Sequence, residues 1–536
     1  MSTMSRRALL KQLGALSSLG VSAPLGLSLS AMGQAAQASG TGDYKALVCI
    51  FMYGGNDSFN TVLTTDADNW AHYQQHRNPV LKGGAAGGTS LAYLAAGTPV
   101  DVGAVPGSPE RLGGVLPIAH SSRAALAHGA SRSFALHPLL QRMQGLYEQG
   151  QVAVLANVGP LVRPTSKADY TNHAMPKPAK LFSHNDQQST WQTFAPEGAT
   201  VGWGGRIADL LMSGNGLTQP LATSLLQRSF TCLSPAGNSA WMSGERVLPF
   251  VSSVDIVPSL GRSDELLNQA GVRSLITRVM STSSSRHVLA QDYQAVVQRA
   301  LATEAVIQQA LAPVNSASGN TPWASEGGNN PWTDPMLKYT APIDGQPRIN
   351  YLALQLQMVA RLIDTNRRGN LGMRRQVFMV SHPAYDHHDR QLSEHADRMA
   401  QLDHAMGYFN QVLARMPGGD LRNQVTTFTM SEFGRTLTNN GDGTDHGWGA
   451  HHFIMGGAVQ GGDVYGRYPQ LATADSQGHF DSPELINNGV MLPSISVDQY
   501  AYTLGRWMGV SETNLTDILP NLSAFDSSTF DVGFMG

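Results

Sequence analysis

Over residues 349–430 helical faces alternate with short strand-forming runs. Ile349, Leu352, Leu356, Val359 and Ile363 recur at the three- and four-residue spacing of one helix face. Gln376–Val380 then reads as a strand. Met399, Leu402, Met406, Phe409, Leu413 and Met416 make a second helix face, stopped by Pro417-Gly418-Gly419, and Gln424–Met430 reads as a further strand. Strands with no polar alternation are buried on both faces. Joined through helices, they form a parallel sheet covered on both sides. The pattern predicts an α/β fold with a mostly parallel central sheet.

The N-terminal half supplies more of the same. Ala46–Met52 is an apolar run closed by Tyr53-Gly54-Gly55-Asn56-Asp57, and Val152–Val158 is a second. His137–Tyr147 reads as a helix, and Leu181–Phe194 as a loop entering one. Helical spacing also covers 286–313, 500–509 and 513–519. Residues 83–115 and 314–347 are rich in small and turn-forming residues and read as loops, the second inside an insertion of roughly 220–345. No internal repeat is visible.

Ser5-Arg6-Arg7-Ala8-Leu9-Leu10-Lys11 carries a paired arginine ahead of a mildly apolar stretch, Leu13 to Met32. Ala36-Gln37-Ala38 follows as a small-x-small cleavage site. Residues 1–38 are thus expected to be a twin-arginine signal peptide, read by the twin-arginine translocase, with a periplasmic or extracellular destination. Gly20, Pro24 and several serines interrupt the stretch, which argues against a stable membrane span. Cleavage leaves 498 of 536 residues as one expected domain, 39–536, and removes three basic residues, taking the net charge from −3 to −6. That balance gives no footing for nucleic acid. The two cysteines, Cys49 and Cys232, do not form a disulfide framework, and Cys49 reads as core.

Ligands of open α/β sheets bind beyond the carboxyl ends of the strands. The first strand delivers Asp57 there. The third delivers Ser381-His382, then Asp386-His387-His388-Asp389. The fourth delivers Ser431-Glu432-Phe433-Gly434-Arg435-Thr436, with Asp445-His446 and His451-His452 soon after. Eight of the 17 histidines lie between 382 and 452, where even spreading would put about two. Carboxylates and imidazoles gathered by separate strand ends suit Zn, Mn or Fe, whereas carboxylates alone suit Mg or Ca. The candidate ligands are Asp57, Asp386, His388, Glu432 and His446, for one or two divalent ions (Zn, Mn or Ca/Mg). His395 and His404 are expected on the exposed side of their helix.

Five motifs carry a family resemblance: Gly54-Gly55-Asn56-Asp57-Ser58-Phe59-Asn60, Leu136-His137-Pro138-Leu139, Ala156-Asn157-Val158-Gly159, Ser431-Glu432-Phe433-Gly434-Arg435-Thr436, and Gly443-Thr444-Asp445-His446-Gly447-Trp448-Gly449. Through them, and Met455-Gly456-Gly457-Ala458-Val459, the chain resembles the exported bacterial family known as domain of unknown function 1501. That family is similar to the alkaline phosphatase and sulfatase superfamily. The resemblance implies an alkaline-phosphatase-like domain with metal-binding Asp57, Asp386, His388 and His446. It also implies a nucleophile near Ser183-His184-Asn185-Asp186, with Ser183 the first candidate. Ser189 and Thr190 are rivals, and Ser183 is equally placed to be a helix N-cap. The chain has Glu432-Phe433-Gly434 where the superfamily has Asp-His-Gly, so a second metal would lose a nitrogen ligand at Phe433.

The resemblance thus implies a metal-dependent hydrolase of phosphate or sulfate esters, its substrate a small molecule or glycan ester. Ser183 would attack, His184 would serve as acid or oxyanion donor, and Arg435 would hold ester oxygens. Two alternatives stay open. One is a non-catalytic binding or assembly protein that keeps the fold. The other is a mononuclear iron enzyme using Asp386, His388 and His446, with Asp57 and Glu432 standing away from the iron.

Overall fold

The computed structural model describes residues 44–78, 90–120, 132–215, 229–254, 274–275, 278–279, 287–311, 321–326, 328, 330–368 and 371–536. The expected signal peptide lies outside them, as do parts of the two expected loops and of the expected insertion.

Strand β1 (Lys45–Met52) is the axis of the molecule. Its residues from Ala46 to Met52 are buried. Ala46, Val48, Ile50 and Met52 point into one hydrophobic cluster, and Leu47, Cys49 and Phe51 into another. Successive side chains alternate across a sheet, so a run apolar at every position needs a layer on each face. On the first face that layer is α2 (Gln141–Glu148), α6 (Tyr351–Arg368) and α7 (Gln391–Ala414). On the second it is α4 (Trp203–Leu211), α8 (Val497–Met508) and α9 (Glu512–Ile518). Each Leu- or Ile-sized side chain so enclosed contributes roughly 1.5–3 kcal/mol. Helices α1 (Ala67–Arg77), α3 (His184–Thr193) and α5 (Val288–Ala310) complete those used below.

The nine-stranded sheet adds β2 (Val152–Gly159), β3 (Cys232–Ser234), β4 (Phe250–Val251), β5 (Arg375–His382), β6 (Val425–Met430), β7 (Ala450–Met455), β8 (Val464–Gly466) and β9 (Ile495–Ser496). Its order is β8-β2-β7-β6-β1-β5-β3-β4, with β9 also paired to β2. All pairings are parallel except those of β7, which runs antiparallel to both β6 and β2. The mostly parallel sheet with helices on both faces is therefore as expected. Strands β3 and β4 fall inside the segment expected as an insertion, yet they extend the main sheet. Among the described residues no helix is long and apolar enough to cross a membrane. Cys49 and Cys232 are both buried and unpaired.

The expectation for His395 and His404 is corrected: both are buried. Helix α7 is covered on the side that its sequence pattern leaves polar. His395 meets Asn56 and Thr61 beyond β1, and His404 meets Asn350 ahead of α6.

Candidate functional site

The first three site segments leave the carboxyl ends of β1, β5 and β6, adjacent strands with one direction. Strand β1 exits through Gly54 and Gly55, at φ +116° and +85°. A Cβ at Gly54 would stand 2.4 Å from the Asp386 nitrogen, and one at Gly55 would stand 2.4 Å from the Phe433 ring. Only glycine permits both the left-handed backbone and the close approach. The Gly54 N–H then donates to Glu432 Oε1 at 2.8 Å. The fourth segment is the N-terminus of α3, with His184 as its first residue. Among the described residues seven non-glycine residues have positive φ, and four of them (Lys180, Phe182, Ala384, Arg390) lie on the loops leading to His184 and around Asp386. Strain of this kind persists where surrounding structure imposes it, as at functional sites.

Asp386, His388 and His446 meet in a tight triangle. Asp386 Oδ1 lies 3.0 Å from His388 Nε2 and 3.2 Å from His446 Nε2, and the two imidazole nitrogens are 3.1 Å apart. His184 Nε2 stands 3.3 Å from the other oxygen of Asp386. His184, Asp386 and His446 each place a donor atom within 4.8 Å of the others, a grouping able to hold a metal ion.

The second ring nitrogens show which lone pairs face inward. His446 Nδ1 is 2.7 Å from the Phe182 carbonyl, which can only accept, so Nδ1 carries the proton and Nε2 is bare in the neutral ring. His184 Nδ1 donates to Glu432 Oε1 at 3.0 Å, which likewise directs a bare Nε2 toward Asp386. This is the carboxylate–histidine arrangement that orients metal-binding imidazoles. Glu432 is completely buried, and Oε1 also accepts from Gln188 Nε2 at 3.0 Å. Two enclosed atoms at the site have no hydrogen-bond partner, His184 Nε2 and Glu432 Oε2. Such atoms cost about 1–3 kcal/mol each. A cation facing His184 would remove part of that cost, so the donor set fits a divalent ion.

Charge is arranged to match. Burial alone would raise the Asp386 carboxyl, but the Arg435 guanidinium, 2.9 Å away, and the flanking histidines outweigh it and hold the group below its ordinary range. The hydrogen bond that His184 donates to Glu432 raises its pKa against the effect of burial. Burial lowers His446, with Arg435 and His184 adding to it. Phe433 packs on both rings, stacked on His446 at 4.6 Å between centroids and 4.9 Å from His184. It forms the apolar floor on which the two imidazoles stand.

The remaining candidates lie apart from the triangle. Asp57 caps the one-turn helix Ser58–Thr61 and is paired with Arg77 through both oxygens, at 2.5 and 2.8 Å, with Gln391 Nε2 on Oδ2 as well. Arg77 ends α1 and is fully buried, and nothing in the sequence pattern marks it out. Ser183 directly precedes α3, but its hydroxyl donates to Asp186 Oδ2 at 2.9 Å and makes no capping bond. Ser189 donates to the Pro196 carbonyl and Thr190 to the Asp186 carbonyl. Arg435 is 1% exposed and spends its donors on Asp386 and Thr444, so it braces the cluster from beneath.

Removing one partner of a buried pair leaves an uncompensated charge. An Arg77→Met variant is therefore expected to lose about 3–5 kcal/mol of stability. Urea unfolding measures this, and a loss under about 1 kcal/mol would mean that Asp57 does not depend on Arg77.

The family model described as "Protein of unknown function (DUF1501)" matches residues 44–519. The chain belongs to this family. The DUF1501 span takes in the whole sheet and every residue of the cluster. No curated protein matches the sequence significantly.

Proposed function

We propose that the protein is an exported metal-dependent hydrolase of phosphate or sulfate esters, built around one divalent ion. The observation that supports this most directly is the triangle of Asp386, His388 and His446 with the Glu432-oriented His184 beside it. Asp386, His388 and His446 would hold the ion, with His184 at its edge. When bound, a divalent ion polarises the ester's oxygens and lowers the pKa of a coordinated water.

The chain's own groups supply the rest. His184, oriented by Glu432, is placed to take a proton from the attacking water at Nε2 and pass one to the leaving oxygen. Ser183 faces Asp186, so water, and not a side chain, would attack the ester. Phe433 keeps the floor dry beneath the two imidazoles.

Metal analysis of the purified mature chain, followed by assay on aryl phosphates and aryl sulfates, tests the proposal. About one equivalent of Zn or Mn with ester turnover is expected. Protein that takes up neither ion sinks it, and uptake without turnover points to the non-catalytic alternative. One observation favours a mononuclear iron enzyme as a second reading: Asp57 and Glu432 both stand outside the triangle, as that reading requires. Preferential uptake of Fe(II) would support it.

A further inference from the structure

The three triangle residues come from two different loops. Asp386 and His388 follow β5, while His446 follows β6 and a long excursion. Their alignment to about 3 Å therefore depends on how the loops are fastened together. The closest fastening is at Thr444. Its N–H donates to the His387 carbonyl at 3.1 Å, between the two ligand candidates of the first loop. Its own carbonyl accepts from Arg435 Nη2 at 2.8 Å, and Arg435 Nη1 reaches Asp386. Gly443, next in sequence, lies so close to the first loop that a Cβ there would meet the His388 carbon at 2.3 Å.

The Thr444 hydroxyl continues the connection inward. It donates to Gln391 Oε1 at 2.6 Å and accepts from Arg435 Nε at 3.4 Å. Gln391 begins α7 and is fully buried. Its amide can point only one way. Asp57 is a carboxylate that accepts, so Gln391 must offer it Nε2, which leaves Oε1 for the threonine hydroxyl. Asp57 is fixed in turn by Arg77. Every proton on the path Arg77–Asp57–Gln391–Thr444–Arg435–Asp386 has one allowed position, and all members but Asp386 are at most 1% exposed. Low dielectric strengthens such a network and makes any gap in it costly.

We infer that Thr444 and Gln391 are positioning residues, a latch that transmits the fixed geometry of the Asp57–Arg77 pair to the Asp386–His388–His446 cluster; this rests on the reading of that cluster as an ion site. They touch neither substrate nor ion. They act through Arg435 and through the backbone of the Asp386 loop.

Thr444→Val keeps the side chain's shape and removes its hydroxyl, and Thr444→Ser restores the hydroxyl. Calorimetric titration of the metal-free mature chain with Zn²⁺ and with Mn²⁺ reads the effect. Partners beyond the ligands typically change metal affinity by 10–100-fold, so T444V is expected to weaken binding by at least about 10-fold and T444S to stay within about 3-fold of wild type. Gln391→Met, which breaks the path one step earlier, is expected to follow T444V and serves if T444V fails to fold. Thermal melting of the metal-free variants separates the effect from general destabilisation, because T444S and T444V then differ in affinity after correction for folded fraction. Wild type that binds while T444V and Q391M bind equally well overturns the latch and leaves the ion site standing. Wild type that binds neither ion overturns both.

Discussion

An Asp386→Asn variant is expected to lose metal uptake by more than about 100-fold and ester turnover with it, while remaining folded. The carboxylate is the only anionic member of the triangle. One oxygen serves His388, His446 and Arg435, and the other faces His184. Asparagine keeps the shape but leaves Arg435 and an incoming cation facing each other with no negative charge between them. Partners that merely orient a ligand change affinity by about 10–100-fold, so loss of the charged ligand should exceed that range. Glu432→Gln supplies the contrast. It keeps an acceptor for His184 Nδ1 but removes the charge behind the ring, and its effect should stay within the 10–100-fold range. Titration of both variants with Zn²⁺ orders them. If E432Q lost more than D386N, Glu432 would be the ligand and Asp386 the support.

That contrast also marks how far the sequence could be read. Strands β1, β2 and β5 were visible because each carries an apolar run that a sheet buried on both faces requires, and β6 because its valine, threonines and phenylalanine favour a strand. Strands β3, β4 and β9 have two or three residues, too few for a pattern, and they take their conformation from neighbours already in the sheet. Parallel strands bring their carboxyl ends to one edge, which is why Asp386, His388 and His446 could be grouped in advance. Asp57 leaves the same edge, but a guanidinium from the end of α1 claims it, and one arginine in a polar helix carries no sign of its partner. Glu432 lies behind His184, accepting from its Nδ1, for a similar reason. Which of two adjacent polar groups faces a cluster depends on backbone hydrogen bonds, here from Gly54, that residue identity does not encode. His395 and His404 looked solvated because helix periodicity describes one packing face and says nothing of a second layer above it.

Between pH 6.5 and 4 the protein is expected to lose stability steeply, for reasons that lie outside the cluster. Burial pushes His382, His387 and His452 down to about 3, His395 and His404 down to about 4, and His137 well below its ordinary value. In the unfolded chain each returns to about 6.5. Near pH 5 these six are neutral when folded and charged when unfolded, so unfolding takes up close to six protons. Two carboxyls act in the opposite sense. Burial raises Asp403 and Asp498 to about 6, so they are protonated in the fold at pH 5 and release about two protons on unfolding. The net uptake is about four protons, and stability should fall by roughly 5 kcal/mol per pH unit. The loss begins as pH drops through the unfolded histidine value and ends near the folded values of 3 to 4. Urea midpoints at half-unit steps from pH 7 to 4.5 measure the slope, and a flat profile would contradict the burial of these histidines. His452 offers the sharper version. It stacks on Tyr500 and packs edge-on against Trp191, with Nε2 enclosed and without a hydrogen-bond partner, so a phenylalanine fills its place and gives up only the 3.3 Å contact of Nδ1 with the Thr429 hydroxyl. His452→Phe should leave stability at pH 7 within about 1.5 kcal/mol of wild type. It should lower the proton uptake near pH 5 by about one, and an unchanged slope would show that His452 is not held neutral in the fold.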